Sequence, residues 1–396
     1  AELVCSNSLK AEHLTNASGL LKAEMKLLNS LILSAAEKTR VPAGGALAVD
    51  REKFSDYVTQ AVRSHPLIEV EECELCELPQ TNAVIATGPL TSDRLAEKIA
   101  ALPGLETLNF YDAAAPIVSG ESLDMAKVFR QGRYGRGDDY LNCPMNREEY
   151  EAFYHALLTA EKAEVHGFDG TQVFEGCMPI EVMAARGEMV MAFGPMKPVG
   201  LVDPRTGREP YAAVQLRAEN EAGTMYNLVG FQTNLTFPEQ KRVFRMIPGL
   251  ENAEFARYGV MHRNSFIDAP QMLSRTLQLS TEAAHALPVP IFVAGQFGGT
   301  EGYCEAIASG LYAALSVSAH LNGKDAPLLP EETAFGALIA YATNPETQDY
   351  QPMHVNFGIM KPFEKKIRNK RERYAAYASR GDEKLRGYVE ALHKKG

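Results

Sequence analysis

Between residues 17 and 38 the apolar side chains Leu20, Leu21, Met25, Leu28, Leu31 and Ile32 recur at helical spacing, which predicts one amphipathic helix. A Gly-rich turn at 41–50 and a second helix over about 51–64 follow. Residues 68–70 and the short apolar run 82–89 read as strands, the second ending at Thr87-Gly88, where backbone can approach a ligand. From about 108 to 287 the texture becomes mixed strands and loops, read as an inserted α+β domain. Residues 290–294 then resume a buried parallel-type strand, and Gly295 opens a turn into a helix that runs to about His320. The tail from Glu331 reads as helical pieces joined by an extended segment at 351–356. This order predicts an α/β nucleotide-binding domain, made of residues 1–107 and 288–396, split by an insertion at 108–287.

The most pointed local pattern is Gly295-Gln296-Phe297-Gly298-Gly299-Thr300-Glu301-Gly302, between an apolar strand and a small-residue helix. Glycines there let backbone N–H groups reach an anion at a helix N-terminus, so a reduced flavin or a pyrophosphate would be stabilised. The spacing is not G-x-G-x-x-G, and a tightly packed strand-to-helix turn is the other reading. Tyr258 to Asn264 places a ring, His262, Arg263 and an amide in what reads as one turn, suited either to a planar ligand or to satisfied core polar groups.

Cys5 and Cys177 both lie in turn-rich contexts, where a thiol can serve as a nucleophile if a cation or helix N-terminus favours its thiolate. The alternative is a small buried hydrophobe. Cys73 and Cys76 have metal-type spacing but no second pair and read as structural, as do Cys143 and Cys304; no metal site is expected. Six cysteines scattered along 396 residues do not make a disulfide framework. No run approaches the roughly 18 apolar residues of a membrane span, and the N-terminus has no secretory pattern, so a cytoplasmic protein is expected.

Charge changes the picture at one end only. The chain carries net charge -10, yet residues 361–396 hold 12 Lys+Arg against 5 Asp+Glu. Such a tail can dock a phosphate backbone, or it can be a solvated, salt-bridged helix.

With these residues in view, the chain closely resembles the folate/FAD-dependent tRNA (uracil-5-)-methyltransferase family over its whole length. The resemblance is carried by residues 1–8 (AELVCSNS), 41–51 (VPAGGALAVDR), 110–117 (FYDAAAPI), 174–181 (FEGCMPIE), 193–199 (FGPMKPV), His262-Arg263-Asn264 and 356–358 (NFG). It implies a split FAD-binding Rossmann-like domain and an enzyme that methylates C5 of a T-loop uridine in tRNA. It further implies methylenetetrahydrofolate as carbon donor and NAD(P)H as reductant. Carried over to this chain, Cys177 is the implied nucleophile and Cys5 the second catalytic thiol. Gly88, Gly295, Gln296, Gly298, Gly299, Glu301 and Gly302 would face the flavin, and His262, with Arg263 and Asn264, the folate.

Members of that family begin with a strand–G-x-G-x-x-G–helix unit, and nothing before Ala1 supplies it here. The expectation is therefore a fragment of a longer product, or a degenerate relative, without the first βαβ unit. Two other readings stand beside the enzyme: a related, longer flavoprotein that modifies the wobble uridine of tRNA, and a non-catalytic tRNA-binding remnant. Oligomeric state is left open.

Overall fold

A computed structural model of the chain describes residues 2–103, 107–164, 178–279, 287–348 and 350–395. The chain first forms β1 (Ser8–Ala11), α1 (Ala17–Leu27), α2 (Leu31–Lys38), β2 (Arg40–Val41), β3 (Ala46–Val49), α3 (Arg51–Arg63), β4 (Ala83–Ile85) and α4 (Asp93–Ala100). Next come β5 (Thr107–Ala113), β6 (Ile117–Ser119), β7 (Phe129–Arg130), β8 (Tyr140–Met145), α5 (Arg147–Thr159), α6 (Ile180–Ala185) and α7 (Val190–Phe193). β9 (Ala212–Ala218), β10 (Met225–Leu228), α8 (Phe237–Phe244), β11 (Phe255–Arg257), β12 (Met261–Ile267) and α9 (Ala269–Met272) follow. The last elements are β13 (Ile291–Val293), α10 (Tyr303–Leu321), α11 (Ala334–Ala342) and α12 (Lys370–Lys395). None of the described helices is long and apolar enough to cross a membrane.

The single helix expected over 17–38 is two helices. Asn29 adopts φ 56°, and Asn is one of the few side chains that tolerate left-handed backbone, so α1 stops and the chain turns before α2. The strand expected at 68–70 does not form: Leu67, Ile68 and Val70 are exposed in irregular backbone. The expected strand at 82–89 shortens to β4.

The chain divides into two compact units. One comprises Ala1–Ser8, Ala36–Gln60 and Phe110–Arg263. Its described centre is an antiparallel sheet of strand order β11-β6-β10-β9-β8-β7. Alternation along these strands separates two faces. Val118, Leu141, Cys143, Val214, Leu216, Tyr226 and Leu228 enter an apolar core with Tyr150, Phe153 and Leu157 of α5. That helix starts with a capping box, in which Asn146 accepts from the Glu149 N–H at 2.9 Å and Glu149 accepts from the Asn146 N–H at 2.8 Å. The opposite face is polar: Asn142 on β8, Gln215 and Arg217 on β9, and Asn227 on β10.

The other unit comprises Leu9–Ala35, Ala61–Asn109 and Asn264–Gly396. Here β4 and β13 pair in parallel, Val84 opposite Phe292, and α1 packs against α10, α11 and α12. The buried run Ile291–Val293 is what a strand covered on both faces requires.

Candidate active site

In the first unit, the site begins with a five-residue segment held by three arginines. Arg51 donates to the carbonyl oxygens of Leu3 (2.7 Å) and Cys5 (2.6 Å), and its Nε to Glu219 (2.9 Å). Arg257 donates to the Val4 carbonyl at 2.8 Å. Arg217 donates from Nε to Asn7 Oδ1 and from Nη2 to Ser6 Oγ, both at 2.8 Å. Asn7, fully buried, returns its amide to the Val49 and Ala218 carbonyls. The three arginines that hold segment 3–7 are obligate donors and cations.

Cys5 sits within this clamp and lines a cavity of about 130 Å³ with Ser6, Ala113, Ala115, Arg217, Asn227, Val229, Gly230 and Gln232. Arg217 is 7% exposed, and burial pulls its pKa down while Glu219, Tyr140 and the Cys5 sulfur support its charge. The Cys5 sulfur thus lies within electrostatic reach of a buried guanidinium. Arg51, Arg217 and Arg257 were not among the residues singled out from the sequence. Their signal was weak, since an arginine at the start of a helix, as Arg51 is, or inside a strand, as Arg217 and Arg257 are, reads as a surface residue until its tertiary partners are known. Cys177 lies outside the described residues.

In the second unit, the turn after β13 brings Gly295, Gln296, Gly298, Gly299, Glu301 and Gly302 together. Gly295, Gly299 and Gly302 have φ of 75°, 82° and 103°, a region that favours glycine. The Gly295 N–H donates to Ser309 Oγ (2.8 Å), and Thr300 Oγ1 donates back to the Gly295 carbonyl (2.8 Å). Gln296 bonds both carboxylate oxygens of Glu301 at 3.0 Å. Gly88 and Gly295 lie just past the carboxyl ends of the parallel pair β4–β13. A Cβ added at either would meet no atom within 4 Å, so both backbones border open space.

Gly302 is different. A Cβ there would lie 2.5 Å from Glu305 Oε2 and 2.9 Å from His354 Nδ1. Glu305 is fully buried in the first turn of α10, where it accepts the Val355 N–H at 3.0 Å and faces Lys10 Nζ at 3.9 Å. The anion nearest this helix N-terminus is thus the chain's own carboxylate. Cys304 beside it is held by the Leu9 carbonyl and Lys22, and burial pushes its thiol to about 11. Burial raises Cys143 as well. Cys73 is exposed, and among the described residues no group of His, Cys, Asp and Glu could hold a metal ion.

His262, Arg263 and Asn264 lie on a strand, β12, and not in a turn. Alternation puts His262 and Asn264 on one face and Arg263 on the other. Tyr258 stacks on Phe237 and Phe255, with centroids 4.6 and 5.2 Å away, so its ring is engaged by the protein itself. His262 is half-buried; its Nε2 has no partner among the described residues, and burial together with Arg257 keeps the ring neutral.

Comparison with known proteins places this geometry in a family. The model of the family described as "Glucose inhibited division protein A" matches residues 1–325. The chain is 56% identical over 391 residues to "Methylenetetrahydrofolate--tRNA-(uracil-5-)-methyltransferase TrmFO" of Acetivibrio thermocellus, covering 98% of this chain and 88% of that protein. It is 55% identical to the protein of the same name from Desulforudis audaxviator (98% and 88% covered) and 53% to that of Listeria monocytogenes (99% and 89%). The structure of Aquifex aeolicus GidA superposes with TM-score 0.68 at 14% identity, covering 100% of this chain and 70% of that one, which shows a shared mixed α/β fold. By family model and by identity along nearly its whole length, the chain belongs to the glucose inhibited division protein A family, among its methylenetetrahydrofolate–tRNA-(uracil-5-)-methyltransferases.

Proposed function

We propose that this chain methylates C5 of a uridine in the T-loop of tRNA, taking the carbon from methylenetetrahydrofolate and using FAD, re-reduced by NAD(P)H. The activity printed in its relatives' names supports the reaction class. The observation in this chain that carries the reading is Cys5, in a segment clamped by arginines and lining a cavity with room for a six-membered ring.

Gly88 and Gly295 fit a flavin, because their backbones leave room for a flat ring at the carboxyl ends of two parallel strands. Glu305 would repel a pyrophosphate at the start of α10, so the turn suits the ring of FAD and not its phosphates. When bound, the flavin supplies the two electrons that bring the transferred carbon from the methylene to the methyl level. His262 Nε2, buried and lacking a partner among the described residues, suits the folate pterin.

Cys177 is the nucleophile in this reading. Its sulfur adds to C6 of the uracil, and the C5=C6 electron pair moves toward C5, which then bonds the incoming carbon. Cys5, held near Arg217, takes the C5 proton as a thiolate or holds the carbon carrier in place. Loss of that proton and departure of the Cys177 sulfur restore the double bond. The tail offers tRNA an exposed basic run: Lys365, Lys366, Arg368, Lys370 and Arg371 make no ion pair with described residues.

The test is covalent capture by a T-arm RNA carrying 5-fluorouridine. The FAD-loaded enzyme should form an adduct that Cys177→Ala abolishes; undiminished capture by that variant would overturn the nucleophile assignment. Transfer of labelled carbon from methylenetetrahydrofolate to tRNA, abolished when the T-loop uridine is replaced by cytidine, tests the position.

A further inference from the structure

The polar face of the six-stranded sheet ends in a cavity whose remaining hydrogen-bonding capacity is unused. Arg217 and Asn227 are register partners on β9 and β10, so their side chains leave the sheet on the same face. Asn227 is 5% exposed and lines the cavity, yet its amide has no hydrogen-bond partner among the described residues. An amide that opens onto a cavity and is left unpaired by the described residues has its donor and its acceptor available to a ligand. Gln232, half-buried on the same wall, has a side chain unpaired among the described residues too, although its backbone carbonyl accepts the Ile180 N–H at 2.7 Å.

The chemistry of the lining selects the guest. Asn and Gln amides each present a donor and an acceptor side by side, and Arg217 adds donors only. Together they match a flat ring bearing an N–H flanked by carbonyl oxygens. Ala113, Ala115 and Gly230 add small residues to the lining, together with Cys5. At about 130 Å³ the cavity has room for one six-membered ring.

We infer that this cavity receives the target uracil after it is turned out of its RNA loop, with Asn227 and Gln232 pairing to its O–C–N–H edge beside Cys5. The inference rests on the proposed uridine methyltransferase activity and assigns base recognition to residues distinct from the two cysteines. Enzymes that act on a base inside folded RNA take it from the stack into such a pocket. Arg217 positions the segment that carries Cys5, and the amides hold the ring.

The measurement is equilibrium binding of two T-arm hairpins to the FAD-loaded enzyme, one with the target uridine and one abasic at that position. The unsubstituted enzyme should prefer the uridine hairpin by about tenfold or more. Asn227→Ala and Gln232→Ala should each bring that ratio to within about twofold, with abasic-hairpin affinity and the flavin spectrum unchanged. A variant that merely failed to fold would lose both. Variants that keep the full preference, or that weaken methylenetetrahydrofolate binding instead, would overturn the subsite. An enzyme with neither a uridine preference nor methyl transfer would defeat the activity on which the inference rests, an outcome distinct from loss of the subsite alone.

Discussion

The guanidinium of Arg51 grips the backbone of Cys5, donating to its carbonyl oxygen at 2.6 Å while a second nitrogen takes the carbonyl of Leu3. The same side chain is anchored by Glu219. Lysine keeps the charge but has no planar fork to reach two carbonyls and a carboxylate together. Arg51→Lys should therefore lower stability by about 1–3 kcal/mol. Methyl transfer should fall further than that loss explains, because segment 3–7 is no longer fixed. Denaturant titration beside turnover separates the two effects, and faster alkylation of Cys5 would report the loosened segment.

Glu24 accepts the N–H groups of Ala334 (2.9 Å) and Phe335 (2.7 Å) at the start of α11, and burial raises its pKa from 4.5 to about 7. The folded state holds this proton more tightly than the unfolded state does. Its contribution is therefore greatest below pH 4.5 and is lost as pH rises through about 7, by up to about 3 kcal/mol. The melting temperature of the unsubstituted chain should fall between about pH 5 and 8 on this account. Glu24→Gln should flatten that slope; an unchanged slope would place its origin elsewhere.

Gly295 and Gly302 share positive φ but differ in their surroundings. Gly295→Ala should cost about 1 kcal/mol of backbone strain while weakening FAD binding about tenfold or more, since the new methyl enters the open space. Gly302→Ala instead drives a methyl against Glu305 and His354 and should lower the melting temperature as well. Flavin absorbance per chain, read beside thermal melts, distinguishes the two.

Replacing Lys365, Lys366, Arg368, Lys370 and Arg371 together by Gln should weaken tRNA binding and flatten its salt dependence. For every phosphate that is no longer neutralised, the log–log slope should shrink by about 0.7–0.9. Nearby Arg380 lies 4.4 Å over Phe363 and 5.2 Å over Tyr377, which ties it to the protein, so Arg380→Gln should act mainly on stability.

Much of this was legible because it is local. The glycine turn announced itself by residue type between an apolar strand and a small-residue helix, and α3 was expected after the Gly-rich turn at 41–50. The break at Asn29 was not, because the periodicity of Leu20 to Ile32 runs straight through a residue whose backbone flips hand. Nor was the clamp on Cys5, since Arg51, Arg217 and Arg257 converge from distant positions. Apolar alternation shows which side of β9 and β10 is core, but only the register makes Arg217 and Asn227 neighbours.

The clamp also bears on how the molecule assembles itself. The segment that carries Cys5 is held by partners 46 to more than 200 residues away, and neither compact unit is a continuous stretch of chain. Such long-range closures are made late, after the loops they close have given up their freedom. Refolding should therefore be slow, and the reactivity of the Cys5 thiol would serve as a clock for its last step, becoming native-like only when the arginines arrive.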